Sequence, residues 1–130
     1  MPRTIIHTDT APEPIGSYSQ AVVSGNTVYI SGQVPLVPGT MQLVNGGFRQ
    51  QVIQVFKNLS GIADAAGGTL NEVSKITIYL LELENFATVN EVMANFFSNP
   101  YPARAVVGVA SLPAGAAIEI EAILTLASGI

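Results

Sequence analysis

Between Phe48 and Ala66 the apolar residues Phe48, Val52, Val55, Phe56, Leu59, Ile62, Ala63 and Ala66 recur at helical spacing. A segment with that period is an amphipathic helix and has one stripe to bury. Gln50, Gln54, Asn58 and Asp64 fall largely on the other side, and Gly67-Gly68 offers a left-handed exit. A second helix is expected from about Asn85 to Phe97, with Phe86, Val89, Met93 and Phe96 or Phe97 on its apolar side. Asn90 lies one turn beyond Phe86 on that same side, a polar residue where leucine would be unremarkable. The run Ser98-Asn99-Pro100-Tyr101-Pro102 stops this helix.

The remainder reads as strands. Arg3 to Thr8 suits a short edge strand, and two prolines make Ala11 to Gly16 an irregular loop. Residues around Tyr18 and Val22-Val23, then Thr27 to Ser31, form a hairpin about Gly25-Asn26. Gly32-Gln33-Val34-Pro35 closes its second strand. Val73 to Leu81 places Ile76, Ile78 and Leu80 on one face and Lys75, Thr77 and Tyr79 on the other. Two more strands, Ala103 to Ala110 and Ala117 to Leu126, flank Leu112-Pro113-Ala114-Gly115. The order predicts a single α+β domain over residues 1–130, with two helices on one face of a mixed sheet. The other face then needs cover, and self-association supplies it.

Composition agrees. Only 11% of residues are charged, against about 25% in an average soluble domain. Mean hydropathy is +0.43, yet no apolar run approaches the roughly 18 residues a membrane-spanning helix needs. An oligomer that hides much of its surface explains such a chain. The start, Met1-Pro2-Arg3-Thr4, lacks the apolar core of a signal peptide, and the expected location is cytoplasmic. With no cysteine, disulfides, thiolate catalysis and sulfur-ligated zinc or iron are excluded. A net charge of −4 without a basic block gives no nucleic-acid footprint. The lone histidine, His7, has nothing converging on it in sequence.

Arg104 opens the apolar run Ala105-Val106-Val107-Gly108-Val109, expected to be a buried strand. A guanidinium stays charged and presents planar, forked donors that match a carboxylate. Burying it without an anion would be very unfavourable. Alternation puts Arg104, Val106 and Gly108 on one face of their strand, and Glu119 and Glu121 together on one face of theirs. A hairpin through Pro113 to Gly115 would set Arg104 opposite a residue near Leu124, not Glu119. From the residues alone the anion is therefore either a structural glutamate or the carboxylate of a ligand.

Four ordered motifs bear on that choice. Ala11-Pro12 with Ile15-Gly16-Ser17-Tyr18-Ser19-Gln20 is followed by Ser31-Gly32-Gln33-Val34-Pro35 and by Phe86-Ala87-Thr88-Val89-Asn90. Pro102-Ala103-Arg104-Ala105-Val106-Val107, Leu112-Pro113 and Ile118-Glu119-Ile120-Glu121-Ala122 complete the series. Over essentially its full length the chain resembles the RidA/YjgF/UK114 family of enamine/imine deaminases. The resemblance implies a chorismate-mutase-like fold assembled into a homotrimer around a central β-barrel, with clefts between subunits. It implies no cofactor and no metal, and a small 2-imino or 2-keto acid as ligand. By the same resemblance Arg104 grips the substrate carboxylate and the Gly32 N–H assists, with Ser31 beside it. Tyr18, Phe86 and Asn90 line the cleft, and Glu119 holds or activates water. Val106 stands where the family commonly has cysteine, and its role there runs mainly through backbone groups. Two other readings stand beside deamination: a non-catalytic binder or sensor of 2-keto acids, and an RNA-cleaving translation inhibitor of the kind attributed to some relatives.

Overall fold

The computed structural model describes residues 2–127. Six strands form one sheet: β1 (Thr4–Ile6), β2 (Ala21–Ser24), β3 (Thr27–Gln33), β4 (Val73–Leu80), β5 (Ala103–Gly108) and β6 (Ile118–Thr125). Their spatial order is β1-β2-β3-β6-β4-β5. All neighbours are antiparallel except β4 and β5, which run parallel because a helix intervenes between them. Helices α1 (Phe48–Ala65) and α2 (Phe86–Phe96) have the expected extents to within a residue or two. Val52, Val55, Phe56, Leu59, Ile62 and Ala63 of α1 are buried, as are Val89, Val92 and Met93 of α2. They meet Ile76, Ile78 and Leu80 of β4 and Ile118, Ile120 and Leu124 of β6, all without solvent exposure. Both helices therefore cover the face that carries the apolar set of each strand. Among the described residues no helix is long and apolar enough to cross a membrane.

Three expectations are corrected. The first concerns β5, which is not buried but is the outer edge of the sheet, with Ala103, Arg104, Val107 and Gly108 exposed. Parallel pairing to β4 uses one side of the strand and leaves the other without a neighbour. The second is the hairpin. β5 and β6 do not pair with each other, because β4 lies between them. Arg104 is level with Ile76, and Ile76 with Ala122.

The third correction is Asn58, expected on the polar side of α1 but fully buried. Position 58 sits on the flank of the apolar stripe, and the segment leaving β3 folds over that flank. The Asn58 side-chain amide donates to the carbonyls of Val34 and Leu36 at 3.3 and 3.0 Å, and its oxygen accepts from Gln54 at 2.9 Å. Replacing Asn58 by alanine would leave those carbonyls buried with a donor lost. A destabilisation of about 1–3 kcal/mol is expected, read from urea denaturation at fixed protein concentration.

Candidate active site

The sheet divides the candidate residues into two groups. Residues paired across strands share a face, and Arg104 pairs with Ile76, on the side covered by the helices. Glu119 pairs with Tyr79, on the side the helices leave open. Arg104 and Glu119 therefore lie on opposite faces, with β4 between their strands. Two strand spacings amount to about 10 Å, before the offset along the strands is added.

At the β5 edge, the Arg104 Nη1 donates to Asn90 Oδ1 at 2.6 Å. The guanidinium carbon lies 4.8 Å from the centroid of the Phe86 ring, a cation–π contact. Met93 sulfur is 3.7 Å from the same nitrogen. Phe86 and Asn90 reach one guanidinium because they stand one turn apart on α2. Among the described residues the ion pairs are His7–Glu13 and Arg49–Glu91, so no resident carboxylate neutralises Arg104. Its bonds to Asn90 and Met93 both come from Nη1, and Nε and Nη2 have no partner among the described residues. Val106, two residues on, faces the same side and packs against the core.

The second group lines a cavity of about 560 Å³, within the range of small-molecule sites. Tyr18, Ser31, Gly32 and Glu119 contribute to it, with Pro12, Ile15, Val34, Leu36 and Pro113 as apolar wall. The local shape follows from a bulge. Ile30 pairs with Ala122 and Gln33 with Ile120, so β3 carries one residue more than β6 across that interval. Ser31 and Gly32 occupy the bulge. A Cβ placed on Gly32 would collide with the Glu119 carboxylate, so glycine is required for the side chain to lie against this backbone. The Ser31 hydroxyl donates to the Ser19 carbonyl at 2.6 Å and its N–H to the Gln20 carbonyl at 2.9 Å. The Tyr18 hydroxyl accepts from the Ile15 N–H at 3.1 Å, so Tyr18 also anchors its loop.

Glu119 is half-buried, and burial first and the charge of Glu121 second raise its carboxyl above the usual range. Neither oxygen takes part in a described ion pair. A partly desolvated, unengaged carboxylate facing a cavity is suited to hold water and accept a proton.

The structure thus gathers Arg104, Asn90, Phe86 and Val106 at the sheet edge, and Tyr18, Ser31, Gly32 and Glu119 at the open face. It does not bring the two sets together within one chain. Sequence reasoning missed the wall residues Pro12, Ile15, Val34, Leu36 and Pro113, because their convergence depends on how two loops fold. It also missed the bond from the Tyr79 hydroxyl to Glu121, 3.2 Å. Alternation did place those two side chains on the same faces as the residues they now adjoin. His7 is not in a strand but just beyond β1, bonded to Glu13 at 2.9 Å, with Asp9 close by.

Known proteins resemble the chain throughout. A family model described as Endoribonuclease L-PSP matches residues 8–126. A mouse protein named 2-iminobutanoate/2-iminopropanoate deaminase is 49% identical over 93% of this chain and 90% of its own length. The crystal structure of RidA from an Antarctic Psychrobacter species superposes with a TM-score of 0.92 at 53% identity, covering 95% of this chain and 99% of that one. Escherichia coli TdcF, solved with bound serine, gives a TM-score of 0.88 at 37% identity, covering 94% and 98%. The chain belongs to the Endoribonuclease L-PSP family, the family of the RidA and YjgF proteins.

Proposed function

We propose that this protein is a 2-iminobutanoate/2-iminopropanoate deaminase, hydrolysing short 2-imino acids to 2-keto acids and ammonia in clefts between the subunits of a homotrimer. The observation that carries the composite cleft is the split between Arg104 and Glu119 across the sheet. A ligand of a few ångströms cannot touch both within one chain, whereas a neighbouring subunit's open face set against the β5 edge would join them. The exposed apolar residues Tyr29, Tyr101 and Val107 and the unpaired β5 edge support such packing. A trimer with its open sheet faces turned inward as a barrel would cover them. The identity of the mouse deaminase supports the reaction.

The chemistry needs little apparatus. The carbon of a 2-imino acid is already electrophilic. The forked donors of Arg104 hold the carboxylate, and the Gly32 N–H adds a third hydrogen bond. Glu119 takes a proton from water as the water oxygen bonds to the imine carbon and the C=N electron pair moves onto nitrogen, and Glu119 then hands that proton to the nitrogen. The carbinolamine hydroxyl then gives its proton through Glu119 to the nitrogen, the C–N bond breaks with release of ammonia, the C=O bond forms, and Glu119 is left ionised. Orientation and one positioned base account for the acceleration. Tyr18 and Phe86 close the sides of the cleft, and Val106 contributes backbone groups beside Arg104.

RNA cleavage, suggested by the family model's description, finds less support. The net charge is −4, and the lone histidine is engaged by Glu13 on an exposed loop. The test is a coupled assay in which a serine or threonine dehydratase supplies the enamine. Adding this protein should raise the initial rate of ammonia release above spontaneous hydrolysis. A rate identical to the uncatalysed one, with 2-keto acid still raising the melting temperature, would instead make it a binder.

A further inference from the structure

Glu119 has two titratable neighbours, Tyr79 and Glu121, that the proposed reaction does not use. On β6 its neighbour on the open face is Glu121. From β4 come Tyr79, level with Glu119, and Thr77, level with Glu121, while Lys75 is level with Ile123, two pairs further along. β3 presents Tyr29, Ser31 and Gly32 to the same side, Glu13 and Tyr18 line the adjoining cavity, and in the proposed cleft Arg104 of the neighbouring subunit faces Glu119 in the parent and in every variant alike. The hydroxyl nearest to Glu119 by register is that of Tyr79. It does not serve Glu119 but donates to Glu121 Oε1 at 3.2 Å.

That choice of partner matters. A phenol bonded to Glu119 would occupy the lone pair that holds water and would weaken the carboxylate as a base. Turned to Glu121, the same hydroxyl leaves Glu119 unengaged and ties down a second carboxylate one alternation away. The Gly32 backbone closes the other flank of Glu119, so its carboxylate is confined between β3 and β4. We propose that Tyr79 and Glu121 are positioning residues for Glu119: their hydrogen bond withholds the phenol proton from it and fixes a negative charge beside it. This rests on the reading of Glu119 as the water-activating base. The shifts agree with the geometry. Tyr79 is held above the usual phenol range by burial, then by the charge of Glu121 and its bond to Glu121, and Glu121 adds to the effect of burial on Glu119.

The test is the pH dependence of kcat/KM for Glu121→Gln and Tyr79→Phe, measured with one imine so that the substrate's own ionisation is common to all profiles. Glutamine keeps the acceptor for Tyr79 and removes the charge. The acid limb of Glu121→Gln should therefore move to lower pH, its plateau falling by less than about tenfold. Tyr79→Phe keeps the ring and frees Glu121 to approach Glu119, so its acid limb should move to higher pH. Opposite displacements are a readout that loss of stability alone does not give, and size-exclusion chromatography checks the assembly. Acid limbs that superpose on the parent's, while Glu119→Gln is inactive, would overturn this inference and leave the catalytic reading intact. A fully active Glu119→Gln would overturn both.

Discussion

Replacing Arg104 by alanine is expected to lower kcat/KM by about 10²–10³-fold, the loss of a charge-assisted, two-pronged grip on the substrate carboxylate. The fold should be indifferent to the change. Arg104 is exposed, forms no ion pair among the described residues, and leaves behind an Asn90 amide that water can reach. Its ring contact with Phe86 is at the surface, where such a contact adds about 0.5–1 kcal/mol. The melting temperature and elution volume should therefore stay close to the parent's. Arg104→Lys keeps the charge but not the planar fork and should fall between the two. If ammonia release in the coupled assay is unchanged in Arg104→Ala, the carboxylate is held elsewhere and the mechanism fails.

Glu119→Gln is expected to act on the other kinetic parameter. Glutamine has nearly the same shape, still fits against Gly32, and keeps an oxygen toward the cavity, but it cannot take a proton from water. kcat should fall by about 10²–10⁴-fold, with KM changing only a few-fold because Arg104 still binds the carboxylate. Binding of a 2-keto acid, followed by thermal shift, should largely survive. This separates catalysis from ligand capture within one variant. A drop in binding that matches the drop in rate would mean that Glu119 holds the ligand, not the water.

Much of this was legible in the sequence, for physical reasons that differ from part to part. The helices were readable because Phe48 to Ala66 and Phe86 to Phe97 each carry one apolar stripe, which only one period satisfies. The facing of Arg104 and of Glu119 followed from strand alternation, which is local. Their separation did not, because it depends on β4 lying between β5 and β6, and strand order is decided by non-local pairing. Arg104 was expected in a buried strand because its neighbours are apolar. Those apolar residues line an exposed edge instead, because β5 pairs only with β4 and its outer side has no neighbour. Asn58 was misplaced for a similar reason. Helical spacing assigns it to a flank, and only the path of residues 34–44 decides whether that flank is wet. The cavity wall could not be read at all, since Pro12, Leu36 and Pro113 come together through loops without a period.

The central claim is that one cleft takes Arg104 from one subunit and Glu119 from its neighbour. Co-expressing Arg104→Ala and Glu119→Gln chains in equal amounts tests it directly. Each variant alone is nearly inactive. In mixed rings a cleft is intact when its arginine comes from the Glu119→Gln chain and its glutamate from the Arg104→Ala chain. With random mixing that holds for about a quarter of the clefts in a closed ring. Recovery of about a quarter of the parent's specific activity is expected in the mixed assembly. Activity that stays at the level of the two inactive variants, in preparations shown by mass spectrometry to contain hybrid rings, would contradict it.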